Sequence, residues 1–153
     1  MKQATIHASA VLVGARAVLI RGPSGAGKSR LALELIQSAR VGSVAFVRLI
    51  GDDRLRLQSA SGRVLVQPAE ALAGLLEVRS IGIVRLPYEP SAVVGLVLDL
   101  GSHVERLPTA ADEEAVLEGV KLPRLAVAVG ATALPTVLMR LTSSPHGFDR
   151  PEI

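Results

Sequence analysis

Eight consecutive residues, Gly22-Pro23-Ser24-Gly25-Ala26-Gly27-Lys28-Ser29, satisfy the spacing G-x-x-x-x-G-K-[ST]. Glycines at such positions allow left-handed turns that aim successive backbone N–H groups at phosphate oxygens. A helix starting at the end of the motif adds about half a positive charge. Lys28 would reach the β- and γ-phosphates and Ser29 would ligate Mg²⁺, so the ligand implied is a nucleoside triphosphate. Two carboxylate positions compete for the metal and base roles. Asp52-Asp53 ends one apolar run and Asp99 ends another, 93–98. Neighbouring strand residues point to opposite faces, so one of Asp52 and Asp53 faces the γ-phosphate. Asp99 resembles the acid that closes a Walker B strand, and is equally an ordinary acid beside a turn. The chain contains no asparagine, which excludes an N-K-x-D guanine-reading motif and a conventional GTPase switch.

The elements around the motif suit it. Residues 9–13 and 17–21 read as two apolar strands joined by a turn at Gly14-Ala15. Residues 28–39 read as a helix, with Leu31, Leu35, Ala32 and Ala39 at buried spacing. An apolar strand over 44–50 leads to Gly51-Asp52-Asp53. Polar–apolar alternation over 54–58 and 63–67 predicts a hairpin around 59–62. Pro68 introduces a helix over 69–76, and 77–86 reads as a loop or short helix leading to a strand. Strands are expected over 92–100 and 125–129. A C-terminal helix is expected over 131–141, with Pro135 tolerable only near its start. Strands interleaved with helices give an α/β architecture, and the hairpin makes the sheet mixed.

The 153 residues correspond to one domain, 1–153, large enough to bury about 70% of its unfolded surface. Hydrophobic residues make up 49% and charged residues 20%, which excludes a disordered chain. Lys and Arg total 17 against 14 Asp and Glu, a net charge of +3, and the basic residues are scattered. Phe46, Tyr88 and Phe148 are the only aromatics. They build no stacking platform, so a nucleic-acid partner is not expected. The absence of cysteine excludes disulfides, thiolate metal sites and thiol nucleophiles. The longest uncharged stretch, 125–139, is interrupted by Pro135 and falls short of the ~20 residues a membrane span needs. A cytoplasmic protein is the expectation.

Several blocks, in order, resemble the catalytic domain of the bacterial HPr kinase/phosphorylase family. They are Ile6-His7-Ala8, the phosphate loop, Gly51-Asp52-Asp53-Arg54, Leu76-Glu77-Val78-Arg79-Ser80-Ile81-Gly82-Ile83-Val84 and Glu105-Arg106-Leu107. The fourth block is the most specific. The resemblance spans roughly residues 7–129. It implies a P-loop kinase-like core similar to the nucleotide-binding core of phosphoenolpyruvate carboxykinase, with ATP and Mg²⁺ as cofactors. It also implies phosphorylation of a serine on HPr, the phosphocarrier of the bacterial sugar phosphotransferase system, and a homo-oligomer, usually a hexamer. Carried over by position, Lys28 contacts the phosphates, Ser29 and Glu77 hold the metal, and Asp53 takes the serine proton. His7 and Arg106 are the remaining catalytic positions. His103 and His146 carry no such argument.

The chain also departs from that pattern. The resemblance covers the family's catalytic domain and not its N-terminal one, so a short form with the catalytic domain only is the expectation. Ser80 replaces the signature glycine. Lys121-Leu122-Pro123-Arg124 stands where the family has a longer Pro-x-x-Gly-Arg-Asn loop tied to dephosphorylation, which favours kinase over phosphorylase activity. The competing readings are a P-loop small-molecule kinase and a nucleotide-binding sensor with little catalysis. The first lacks an arginine-rich lid segment here, and Ser80 and the short 121–124 segment are the features that leave the second open.

Overall fold

A computed structural model describes residues 2–142. The strands are β1 (Lys2–Ile6), β2 (Ser9–Val13), β3 (Arg16–Arg21), β4 (Val47–Gly51), β5 (Leu55–Ala60), β6 (Arg63–Pro68), β7 (Leu75–Val78), β8 (Gly82–Arg85), β9 (Ala92–Leu100), β10 (Glu114–Leu117) and β11 (Val120–Val127). The helices are α1 (Lys28–Arg40) and α2 (Ala133–Thr142). The large sheet runs β1-β5-β6-β9-β3-β2-β4, and β11 joins β9 while carrying β10 on its other edge. β3 and β11 pair with β9 in parallel, whereas β6 pairs with it antiparallel. The expected mixed α/β sheet is therefore the fold.

β9 organises the molecule. Its first residues, Ala92 and Val93, pair with β6, and Val97 to Leu100 pair with β11. The register with β3 jumps from Ala17↔Val94 to Val18↔Leu96, leaving Gly95 as a one-residue bulge. That bulge resets the two-residue alternation. Val94 and Val97 consequently face one core with Leu19, Leu55, Leu57 and Val66, while Leu96, Leu98 and Leu100 face the other. A Cβ at Gly95 would lie 2.7 Å from that of Arg16, so no larger residue fits the bulge.

The second core is closed by the helices. α1 buries Leu31, Ala32, Leu35, Ile36 and Ser38, a helical stripe that also receives Val137 of α2. Ser38 is buried because its hydroxyl donates to the Glu34 carbonyl at 2.7 Å. Ala39, expected in the stripe, is only half-buried. α1 ends where Gly42 takes φ 83° and the amides of Val41, Gly42 and Ser43 return to the last-turn carbonyls. Pro135 falls in the first turn of α2, where its missing N–H costs nothing. Among the described residues no helix is long and apolar enough to cross a membrane.

Four expectations need correction. Residues 69–76 do not form a helix. A single 3-10 turn (Glu70–Leu72) is followed by Gly74 at φ 76°, where the chain leaves the helical region and enters β7. Residues 77–86 are a hairpin, β7–β8, with Val78 paired to Gly82. β4 begins at Val47 rather than at 44, and the last strand lies earlier than 125–129, over Val120–Val127. β1 and β10 were not signalled by apolar alternation. His146 and Phe148 lie outside the described residues.

Candidate nucleotide and acceptor site

The phosphate loop connects β3 to α1 as its sequence requires. Gly25 and Gly27 take φ 80° and 99°, the left-handed region that glycine enters without penalty. The Gly27 carbonyl accepts the first helical bond, from Leu31 N–H at 2.9 Å. Ala26 is buried in the helix-side core and anchors the middle of the loop. The Lys28 ammonium donates to the carbonyls of Gly22 (2.8 Å) and Pro23 (3.2 Å). It thus lies folded over the loop whose amides would receive phosphate.

Asp52 and Asp53 follow β4 in the turn to β5, and that turn sends their side chains apart. Asp52 is buried, and its carboxylate faces the cradle. Ser29 Oγ donates to it, 2.7 Å from Oδ1 and 2.9 Å from Oδ2. Ser9 Oγ donates to Oδ1 at 2.6 Å, and the Glu77 amide approaches Oδ2 at 3.4 Å. Asp53 is exposed. It occupies the centre of a three-residue γ-turn closed by Arg54 N–H to Asp52 O (2.8 Å), with φ 69°. Positive-φ γ-turns are strained, and a non-glycine residue there costs about 1–3 kcal/mol. Aspartate is among the residues that tolerate it best.

His7 lies beside this turn. β1 pairs with β5, Ile6 opposite Leu55, and Ala8 N–H donates to the Asp53 carbonyl at 3.2 Å. Thr5, Ile6, His7 and Arg54 line a recess of about 250 Å³ there. Glu77 is reached differently. Leu76 is fully buried in the helix-side core, so alternation turns Glu77 outward on the strand whose backbone touches Asp52. The structure therefore gathers the phosphate loop, Asp52 and the β7 backbone at Glu77, with Asp53 and His7 adjoining. Arg106 is exposed, and among the described residues no hydrogen bond or ion pair joins it to the cradle. Ser9 was missed as a contact. Its only sequence signal is a hydroxyl in an otherwise apolar strand.

Asp99 does not face the cradle. Its carboxylate takes two bonds from Arg21, at 2.7 and 2.8 Å, and one from Arg124 Nε. Burial alone would raise its pKa, but the hydrogen bonds and charges of Arg21 and Arg124 outweigh it and hold the carboxyl below its ordinary value. Arg124 also donates to the Asp112 carbonyl at 2.8 Å. The segment 121–124 is therefore strand with its arginine tied inward.

Ser80 occupies the tip of the β7–β8 hairpin at φ 73°, in a turn closed by Ile81 N–H to Val78 O at 3.0 Å. Positive φ at that turn position favours glycine. Left-handed conformation costs an L-residue about 1–2 kcal/mol, partly offset by the greater unfolded-state freedom of glycine. A Ser80→Gly variant is expected to gain about 0.5–1 kcal/mol in urea unfolding. No gain would mean that the serine turn is unstrained.

Over residues 1–142 the chain matches the family described as HPr Serine kinase C-terminal domain. It is 36% identical across 167 aligned residues to the HPr kinase/phosphorylase of Streptococcus thermophilus, covering 97% of this chain and 51% of that protein. It is 32% identical across 166 residues to that of Streptococcus salivarius, with the same coverage. The chain thus spans about half the length of the curated relatives it matches. A solved structure of the Hpr(Ser) kinase/phosphatase from Coxiella burnetii shares the fold, with TM-score 0.70 and 20% identity over 88% of this chain and 91% of that one. With its phosphate loop, paired aspartates and Glu77-bearing hairpin so arranged, the chain belongs to the HPr serine kinase C-terminal domain family.

Proposed function

We propose that this chain transfers the γ-phosphoryl group of ATP, with Mg²⁺, to a serine of an HPr-type phosphocarrier. The observation that carries this reading is the bonding of buried Asp52 to Ser29 of the phosphate loop, with exposed Asp53 next to it in a fixed turn. The donor set fits magnesium, which favours hard oxygen ligands and keeps one or two carboxylates beside phosphate oxygens and water. Ser29, Asp52 and Glu77 would hold it. Among the described residues no group of three His, Asp or Glu could cage a metal, so nucleotide phosphates would complete its coordination. When bound, the ion would neutralise charge on the β- and γ-oxygens.

The protein's own groups supply the rest. Backbone amides of the loop and Lys28 stabilise the phosphate charge. Asp53 accepts the proton of the seryl hydroxyl as its oxygen attacks phosphorus and ADP departs. His7, beside the Asp53 turn, orients that carboxylate, and Arg106 is assigned to the same reaction by family resemblance alone. Placement of Arg124 in an internal ion pair supports kinase over phosphorylase activity. Family resemblance also supports a homo-oligomer, a hexamer by that analogy.

Incubation with labelled ATP, Mg²⁺ and purified HPr tests the reading. Label is expected on an HPr serine, and Asp53→Asn is expected to lower its rate about 10²-fold or more. Asparagine tolerates positive φ, so this variant removes the base while keeping the turn. Phosphate release without label on HPr would replace the proposal with the sensor reading, and label on a metabolite with a small-molecule kinase.

A further inference from the structure

Asp52 is 6% exposed, yet among the described residues it has no ion pair with Lys, Arg or His. Its donors are all neutral. Ser29 offers one proton shared between the two carboxylate oxygens, and the Glu77 amide is distant at 3.4 Å. The shortest contact is Ser9 Oγ, 2.6 Å from Oδ1. Ser9 is fully buried in β2, with its backbone opposite Ile20 of β3. Its hydroxyl is thus mounted on two core strands, whereas the Asp52 side chain follows β4 into a strained turn.

A carboxylate can rotate about its Cβ–Cγ bond. Which oxygen receives the Ser29 proton decides where the Ser29 lone pairs point. A donor at 2.6 Å on Oδ1 fixes that rotation and leaves Oδ2 directed toward the Glu77 backbone. We propose that Ser9 is a positioning residue: its buried hydroxyl locks the Asp52 carboxylate so that Ser29 presents an oxygen to the metal of a metal–nucleotide complex. The inference rests on the nucleotide reading of the site. It goes beyond that reading because Ser9 acts only through Asp52 and belongs to neither the phosphate loop nor the acceptor turn. Groups that orient metal ligands from behind typically matter by about 10–100-fold in metal affinity.

The test is calorimetric titration of the intact chain with a non-hydrolysable ATP analogue, with and without magnesium. Wild type is expected to bind the analogue more tightly with magnesium. In Ser9→Ala that magnesium-dependent gain is expected to shrink about tenfold, while metal-free affinity stays within about twofold. Adding Ser9→Ala to Asp52→Asn is expected to change nothing further, since the partner is already altered. Ser9→Cys, of similar size but a weak donor, gives the same reading if the alanine chain does not fold. A full magnesium gain in either folded variant, or an undiminished effect of Ser9→Ala in the Asp52→Asn background, would overturn the proposal. A wild type without any magnesium gain would remove the nucleotide reading itself, and this proposal with it. A purely structural Ser9 would lower the melting temperature and leave the magnesium gain intact.

Discussion

In a Lys28→Ala variant, the proposed γ-phosphoryl transfer from ATP is expected to fall about 10²–10³-fold, with the fold retained. Lys28 sits at the first position of α1, half-buried, and among the described residues its ammonium bonds only to the Gly22 and Pro23 carbonyls. Neither bond holds a core element, so truncation leaves the packing of Leu31 and Leu35 untouched. The effect instead appears where charge moves. A fixed ammonium beside a reacting phosphate stabilises charge in a site shielded from water, and removing one such donor elsewhere costs about 10²–10³-fold. Transfer through a metaphosphate-like state leaves little covalent work, so most of the acceleration comes from positioned charge. The measurement is initial rate against ATP concentration, with circular dichroism to verify folding. A rate within threefold of wild type would mean that the loop amides suffice without the ammonium.

The second large effect concerns stability. Replacing Asp99 with alanine is expected to cost about 3 kcal/mol, because it leaves Arg21 and Arg124 facing each other without a counter-charge. The two arginine side chains are 29% and 20% exposed, so water moderates the loss and keeps it near the lower end of the range for broken buried pairs. The same group imposes a pH dependence. The folded-state pKa of Asp99 is depressed below the ordinary 3.8. Its contribution is therefore complete above about pH 4 and disappears as pH falls through the depressed value. Urea unfolding at pH 7 and at pH 3 measures both effects. Asp99→Asn should flatten the acid side of the stability profile, and an unchanged profile would mean that the ion pair is absent in solution. The damage should reach the phosphate loop, since Arg21 immediately precedes Gly22 and a Cβ on Gly22 would already lie 2.6 Å from the Leu100 carbonyl.

Legibility in the sequence followed the range of the forces involved. The phosphate loop is a local code, because glycine conformation, a helix start and a lysine lie within eight residues, and it reads directly. That one of Asp52 and Asp53 faces inward was also legible, but the cause is the γ-turn that follows β4 rather than alternation within a strand. The β7–β8 hairpin was not. Residues 69–76 carry helix-compatible Ala, Leu and Glu, and the decision falls to Gly74, whose left-handed φ accompanies close packing against Tyr88 and Leu86. Edge strand β1 carries mostly half-buried and exposed residues, and β10 is only four residues long with Val116 exposed between buried Ala115 and Leu117, so neither shows a clear apolar alternation in sequence. The bond between Ser9 and Asp52 joins residues 43 positions apart, and no window along the chain contains both. Asp99 closes an apolar run in the manner of a metal-facing acid, but Arg21 and Arg124 on the two neighbouring strands take its carboxylate.

Because β9 pairs with β6 through Ala92 and Val93, with β11 through Val97 to Leu100 and with β3 along its opposite edge, it is where the three branches of the large sheet join. The loop bearing Lys28 leaves the end of β3, which pairs with β9 directly, and the turn bearing Asp53 leads into β5, which reaches β9 through β6. On the proposed reading, the strands that carry the phosphate loop and the acceptor turn are thus joined through a single nine-residue ribbon.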